Sequence, residues 1–270
     1  MNPILYLDAY TIIFQKNVLE NEIYQKYSIS KNKQKTYPII EQSILFPIEE
    51  WKPKAVSKPL EIVYEDETLL VVNKPAFILV HSDGNDTENL QDYVNAYLFD
   101  QGWPHKAQAI HRLDYETSGL LLFCKNPFFQ AYYDALFASS HPEKEYYALV
   151  KKNFPFKEKE IKSAIGRDRH DARKMRISPS GKEATSYITR IQLGKDSSLL
   201  NVKITTGRKH QIRVHLASLG FPILNDSLYG MQMDSSGLLL QHHKISFFLP
   251  DDTRLNLEIP LDIRIQKHMK

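Results

Sequence analysis

The stretch Ile110-His111-Arg112-Leu113-Asp114-Tyr115-Glu116-Thr117-Ser118-Gly119-Leu120-Leu121-Leu122-Phe123 passes from clustered polar side chains into an unbroken apolar run. Gly119 to Phe123 therefore reads as a buried strand, and the polar residues before it as the loop that feeds the strand. Asp114 is followed by Thr117, Ser118 and Gly119, small groups that let a substrate approach the carboxylate while hydroxyls and amides orient it. Two readings of these residues stand: a chemical site, or an Asx-type turn that caps the strand.

Outward from this strand, short β-rich runs occur at Leu60 to Tyr64, Thr68 to Val72 and Phe77 to Val80, separated by acidic or Lys-Pro turns. Leu90, Tyr93, Val94, Tyr97 and Leu98 recur at helical spacing, with Asp86 and Thr87 as capping candidates and Gly102 beyond the end. Phe128 to Phe137 reads as an amphipathic helix begun by Pro127, and Tyr146 to Val150 as a strand. Ala184 to Ile191 and Leu199 to Ile204 form a hairpin pair around Gly194. Ile212, Leu216 and Leu219 mark a helix closed by Gly220, and Leu238 to Phe248 with Leu255 to Ile259 return to strand. Helices and strands mix without regular alternation, so the fold class is α+β, a mixed, largely antiparallel central sheet flanked by helices.

The 270 residues suit one large domain, alone or with a small appendage. With 25% charged and 42% hydrophobic residues the chain can bury a real core. The first Gly is Gly84, and Trp51-Lys52-Pro53-Lys54 and Lys58-Pro59 read as an extended connector. A boundary near Ser57 is expected, dividing an N-terminal extension, residues 1–57, from a domain over 58–270. Cys124 is the one cysteine and follows an apolar run, which points to a buried, reduced thiol in a cytoplasmic protein. No signal-peptide pattern opens the chain and no apolar run approaches ~18 residues, so neither export nor membrane spanning is expected.

Glycines never cluster at the spacing of a phosphate-cradling loop or dinucleotide fingerprint, and the ten histidines lack matching metal-ligand spacing. No cofactor and no metal are expected. The formal net charge is only +3, yet it is unevenly spread. Lys162 to Lys182 carries seven cations, among them Arg167, Arg173 and Lys174, against Asp168 and Asp171, and reads as a cationic loop for a polyanion. Thr206-Gly207-Arg208-Lys209-His210-Gln211-Ile212-Arg213-Val214-His215 is a Gly-led start to an amphipathic helix crowded with donors, a terminus suited to phosphate. Ile212 and Leu216 pin one side of it into the core, and an Arg213 buried beside them needs an anionic partner.

Two stretches together resemble an RNA pseudouridine synthase of the RluA-like branch: His111-Arg112-Leu113-Asp114 through Thr117-Ser118-Gly119, and Gly207-Arg208-Lys209-His210-Gln211-Ile212-Arg213 through Asp226 and Tyr229-Gly230. Val71-Val72-Asn73-Lys74-Pro75 and Lys144-Glu145-Tyr146-Tyr147-Ala148 add to the likeness, which spans roughly Leu60 to Pro250. The resemblance implies a pseudouridine synthase-like catalytic domain, with Asp114 as nucleophile, Tyr146 as active-site tyrosine and Arg213 as the base that pairs the carboxylate. It implies that Arg112 helps displace or replace the target base, and that Arg208, His210 and Gln211 sit near an RNA-facing surface. Three departures stand out. Ala76-Phe77 replaces the usual Gly after Lys-Pro, Leu240-Gln241-His242 replaces Leu-His-Ala, and Asn225-Asp226 replaces Gly-Asp. Residues 1–57 show no version of the small ribosomal-protein-like domain often found upstream.

The implied reaction isomerises selected uridines of ribosomal or transfer RNA without a cofactor. A flipped uracil is detached at nitrogen 1 and rejoined through carbon 5, at a cost of a few kcal/mol for unstacking. Asp114 would start the cleavage, Arg213 would hold its charge and orientation, and the Tyr146 hydroxyl would assist proton removal at carbon 5. RNA is the one partner expected, on a monomeric protein. Two alternatives stand beside this: a non-catalytic RNA-binding protein on the same fold, and a nucleoside or glycoside hydrolase with Glu116 as the nearest second carboxylate.

Overall fold

Leu69–Lys74 alternates its apolar side chains between two cores: Leu70 and Val72 face one, Leu69 and Val71 the other. Ser118–Cys124 beside it does the same, with Leu121 and Phe123 on one side and Leu120, Leu122 and Cys124 on the other. Unbroken apolar runs within a strand mark one covered on both faces, and these two lie within a sheet with a layer on each side.

A computed structural model of the chain describes residues 2–46, 50–85, 87–230 and 234–269. The elements run β1 (Ile4–Leu7), β2 (Thr11–Phe14), α1 (Glu20–Lys26), α2 (Lys31–Thr36), β3 (Ser43–Leu45), β4 (Ile62–Glu65), β5 (Leu69–Lys74), α3 (Leu90–Asp100), β6 (Gln108–Ala109) and β7 (Ser118–Cys124). There follow α4 (Gln130–Ala138), β8 (Glu143–Lys151), β9 (Glu158–Lys162), β10 (Ile165–Arg167), β11 (Met175–Ile177), β12 (Thr185–Leu193), β13 (Ser197–Ile204), α5 (Gln211–Ser218), β14 (Leu240–Phe248), β15 (Arg254–Glu258) and α6 (Ile263–His268). The main sheet is ordered β4-β5-β7-β14-β8-β13-β12-β9, with β6 added to β7 and β15 to β14. Among the described residues its ladders are antiparallel except β7 with β14, which is parallel. The α+β class with a mixed, largely antiparallel sheet follows.

One core packs α3 and α5 against the sheet; the other packs α4 and the N-terminal elements against the opposite face. β1, β2 and β3 form their own antiparallel sheet, and Ile12, Phe14, Ile44 and the α1 residues Ile23 and Tyr24 turn inward onto Phe128, Phe129 and Leu122. Tyr27, fully buried, lies edge-on to Phe128 and Phe129 at 5.6 and 5.2 Å, and its hydroxyl donates to the Pro250 carbonyl at 3.2 Å.

Several expected elements shift for local reasons. Phe77 to Val80 is not a strand: Phe77 takes a left-handed φ of 64°, and only Leu79 makes an isolated bridge, to Asn89. The α3 cap is Asn89, whose side chain accepts from the Asp92 N–H at 3.2 Å, so Thr87 lies too early; Asp86 falls outside the described residues. The α4 helix begins at Gln130 because Asn126 caps the Phe128 N–H in a preceding turn. The segment from Lys162 to Lys182, read as a loop, holds the β10–β11 hairpin. Its strands are three residues long and charged, too short for a periodic signal.

Candidate active site

The site begins with a row across the sheet. Gly119 on β7 pairs with His242 on β14, His242 with Tyr146 on β8, and Tyr146 with Val202 on β13. Gly119 has φ +112°, and a Cβ there would collide with the His242 backbone, so the Gly of Thr-Ser-Gly is what lets these strands close. The Tyr146 ring stacks on His242 at 4.5 Å and 16°. The His242 Nδ1–H donates to the Leu120 carbonyl at 2.6 Å, which fixes that ring in turn.

Asp114 sits in the turn just before β7, closed by the Thr117 N–H donating to the Asp114 carbonyl at 3.1 Å. Lys74, wholly buried at the end of β5, supports this turn: its Nζ donates to the carbonyls of Pro75, Tyr115 and Thr117 at 2.9, 3.0 and 2.8 Å. Burial, followed by the charge of Arg264, pushes the Lys74 ammonium down to about 7, with Asp114 opposing.

On α5, Arg213 is 5% exposed and meets two carboxylates. Its Nε and Nη2 donate to Asp226 Oδ2 and Oδ1, both at 2.8 Å, and its Nη1 donates to Asp114 Oδ2 at 2.8 Å. Burial works against the charge of Arg213, but the two carboxylates outweigh it and hold the guanidinium above its ordinary value. Asp226 is itself fully buried, and its Oδ1 accepts from the Leu228 and Tyr229 N–H groups at 3.0 Å. The anionic partner that a buried Arg213 requires is thus double.

His210 precedes α5 with a left-handed φ of 55° and places Nε2 3.6 Å from Asp114 Oδ2. The Tyr229 oxygen accepts from the Met175 N–H at 2.7 Å and lies 2.7 Å from His210 Nδ1. We assign the Tyr229 O–H as donor to Nδ1, which leaves the His210 Nε2–H turned to Asp114. Burial drives His210 down to about 4 against the pull of Asp114, so the ring is neutral. Arg213 and His210 both address Oδ2; Asp114 Oδ1 has no hydrogen-bond partner among the described residues.

Asp114, Tyr146 and Arg213 line one cavity of about 190 Å³, with Arg112, Arg208, Lys209 and His210 around it. Tyr146 is buried, and burial followed by the Asp114 charge raises its phenol above the ordinary value, so it is protonated at neutral pH. Arg112 is exposed, and Arg208 donates from Nε to the Glu183 carbonyl at 2.9 Å. Glu116 does not line the cavity.

Gln211, expected near an RNA-facing surface, is buried and engaged within the fold. It donates to Thr185 O at 2.9 Å and Ser186 Oγ at 3.2 Å, and accepts from Thr206 Oγ1 at 2.8 Å and the Arg208 N–H at 3.1 Å. Its role is to build the turn ahead of α5. His210 likewise forms wall, not outer surface. In the basic hairpin Arg167 and Arg173 are exposed and Lys174 is half-buried; Arg173 pairs with Asp171 at 2.8 Å. The hairpin is tied to the cavity through the Met175, Tyr229 and His210 chain. Sequence reasoning gave no task to Lys74, Tyr229 or the His242 ring. The available signal was a lone Lys just past the apolar run Leu69 to Val72, where an unpaired charge could not stay.

A family model described as RNA pseudouridylate synthase matches residues 68–218. An uncharacterized RNA pseudouridine synthase of Helicobacter pylori is 36% identical over 193 residues, 71% of this chain and 72% of the relative. The ribosomal large subunit pseudouridine synthase D of Zymomonas mobilis is 36% identical over 192 residues, 68% of this chain and 60% of the relative. An uncharacterized RNA pseudouridine synthase of Bacillus subtilis is 36% identical over 174 residues, 63% of this chain and 58% of the relative. The alignments with the last two relatives thus span under two thirds of their length. Among solved structures, human RNA pseudouridylate synthase domain containing 1 superposes with a TM-score of 0.65 at 25% identity, covering 79% of this chain and 90% of that one.

Proposed function

The chain belongs to the RNA pseudouridylate synthase family, in its RluA-like branch, and from that premise we propose that it isomerises uridine to pseudouridine in ribosomal or transfer RNA. The observation that carries the reading is the single cavity in which Asp114, Arg213 and Tyr146 meet. Asp114 is the nucleophile. Arg213 holds Oδ2, with the neutral His210 3.6 Å from it, and the unpartnered Oδ1 is the atom that opens the glycosidic bond. A uracil flipped into the cavity rests against the Tyr146 ring, whose other contact is His242. Burial and the Asp114 charge keep the phenol protonated, so it acts at carbon 5 as a relay, taking that proton as it passes its own O–H proton to solvent. The uracil turns, and its carbon 5 takes the place of nitrogen 1 on the sugar.

Arg112, Arg208, Arg167, Arg173 and Lys174 supply the cationic surface that guides the RNA, with Arg112 nearest the vacated stack. Residues 1–57 form an extension that buttresses the catalytic domain over 58–270, as the shared core around Tyr27 and Phe128 supports. The protein works as a monomer in the cytoplasm; the free, buried Cys124 thiol fits a reducing compartment. Among the described residues no helix is long and apolar enough to cross a membrane.

The deciding experiment mixes the protein with ribosomal and transfer RNA tritiated at uracil carbon 5. Release of tritium by the native protein, absent with Asp114→Asn while RNA binding persists, is the expected result. A native protein that binds RNA and releases none is the non-catalytic alternative.

A further inference from the structure

Phe77 stands where the resemblance leads one to expect glycine, and it keeps the backbone conformation that glycine would supply, φ +64°. A bulky side chain in the left-handed region is strained, and burial does not offset that strain here, since the ring is 45% exposed. The position is nonetheless built. The Phe77 N–H donates to the Tyr115 carbonyl at 2.8 Å, the same carbonyl that accepts from Lys74 Nζ. Gly237, at φ +73°, makes room for the ring, because a Cβ there would collide with it. The Phe77 and Tyr115 rings sit edge-to-face at 5.9 Å and 74°. Tyr115 is 49% exposed and directly follows Asp114. Neither ring belongs to a core cluster. Strain of this kind, held by the surroundings at the edge of a reactive site, points to a ligand.

We propose that Phe77 and Tyr115 form a stacking platform for an unpaired base next to the target uridine, so that the sequence around the uridine is read partly by stacking. The inference rests on the isomerase reading for its substrate. The chemistry fits RNA: aromatic faces take any base, purines most strongly through their larger surface, and an arginine beside them adds charge and a second planar surface. Arg112, two residues before Asp114, is the arginine of this loop. It is exposed, lines the cavity, and its charge is felt at His81, whose imidazole is lowered first by burial and then by Arg112. Because the platform shares its backbone bonds with the Asp114 turn, a base stacked on it would fix the register of the flipped nucleotide.

The test uses hairpin RNAs with one loop uridine, tritiated at carbon 5, and 2-aminopurine placed in turn on either side of it. Native protein, Phe77→Gly and Tyr115→Ala are titrated while fluorescence is read; glycine fits the φ of position 77, so the first variant keeps its fold, which its melting temperature checks. The expected result is quenching at one neighbouring position, lost in both variants, with binding weakened about tenfold for one base left unstacked and KM raised more than kcat is lowered. Native protein that converts the hairpins, with quenching and KM indifferent to both substitutions, overturns the platform and leaves the isomerase reading intact. Quenching that depends on Phe77 without any tritium release overturns the isomerase reading and keeps the platform. Failure of native protein to bind any hairpin overturns both. Native protein that sediments as a dimer, with Phe77→Gly monomeric and unchanged in RNA binding, assigns the rings to a self-interface and overturns the platform.

Discussion

Arg213 meets Asp226 edge-on through Nε and Nη2, at 2.8 Å each, and this leaves one terminal nitrogen for Asp114. The pairing divides labour between two carboxylates. Asp226, with no exposed surface, balances the buried charge and aims it; Asp114, with a side chain 26% exposed, keeps an oxygen free to react.

Removing the aiming carboxylate leaves a buried cation half-compensated. Asp226→Ala is expected to destabilise the fold by about 3–5 kcal/mol, the usual cost of breaking a buried pair from one side, and to abolish tritium release. Asp226→Asn keeps an acceptor and should lose less of both. Urea denaturation and single-turnover assays on the two variants check the order.

The phenol of Tyr146 can be deleted without emptying its place in the stack. Tyr146→Phe should lower kcat by roughly 10²-fold or more, in the range of a lost proton-transfer group, while the Kd for RNA stays near that of native protein. Since burial and the Asp114 charge raise the phenol above its ordinary 10.0, its ionisation should put no limb on the pH–rate profile of the native protein below that pH.

Buried histidines, His210, His242 and His243 among them, make stability fall with acid. Burial lowers His210 to about 4, His242 to about 3 and His243 to about 4, from an ordinary 6.5. Between those values the unfolded chain binds protons that the native state refuses, so stability rises with pH across the window. The contribution is complete above about pH 6.5 and is lost as pH falls toward about 4. Urea midpoints measured at neutral pH and at two successively more acidic values within that window should decline in that order, with most of this loss preceding carboxylate protonation.

Tyr27 is the pin between the N-terminal elements and the sheet. Tyr27→Ala should cost about 3–5 kcal/mol, as for other large aromatic truncations in a packed core. It should leave kcat almost unchanged at temperatures where the protein stays folded, because Tyr27 touches Phe128, Phe129 and Pro250 and not the cavity. Thermal melting, and turnover measured well below the melting point, separate the two effects.

Steeper salt dependence is expected of binding than of chemistry. Charge reversal at Arg167 and Lys174 should flatten the plot of log binding constant against log salt, by about 0.7 for each phosphate of a single strand that is no longer neutralised. Titrations at several salt concentrations, beside saturating turnover assays, measure it.

Much of this fold was legible because β5 is apolar from Leu69 to Val72 and β7 from Leu120 to Phe123, and because the β12–β13 hairpin alternates around Gly194. The three residues of the cavity were legible only through motifs; nothing in their spacing of 114, 146 and 213 brings them together. The row of ladders β7–β14–β8–β13 does that, and its parallel step depends on a glycine facing a backbone. What escaped reading lay in short or irregular pieces. The three-residue strands of the basic hairpin carry no period, and Phe77 sits in an apolar run whose geometry is that of a turn. Gln211 was set near an RNA-facing surface by the resemblance alone; it does line the cavity, and its four hydrogen bonds, which no sequence pattern announces, are made within the fold.

The bond from the Tyr27 hydroxyl to Pro250 spans 223 positions of the chain. During synthesis, the inward side of the first elements has no complete seat until the last strands leave the ribosome. Pairings so distant in sequence form late and slowly, and the waiting surface is one that sticks to other chains. This chain should therefore depend on a holding chaperone more heavily than a relative that lacks the early segment, and its yield should improve when translation is slowed by cold.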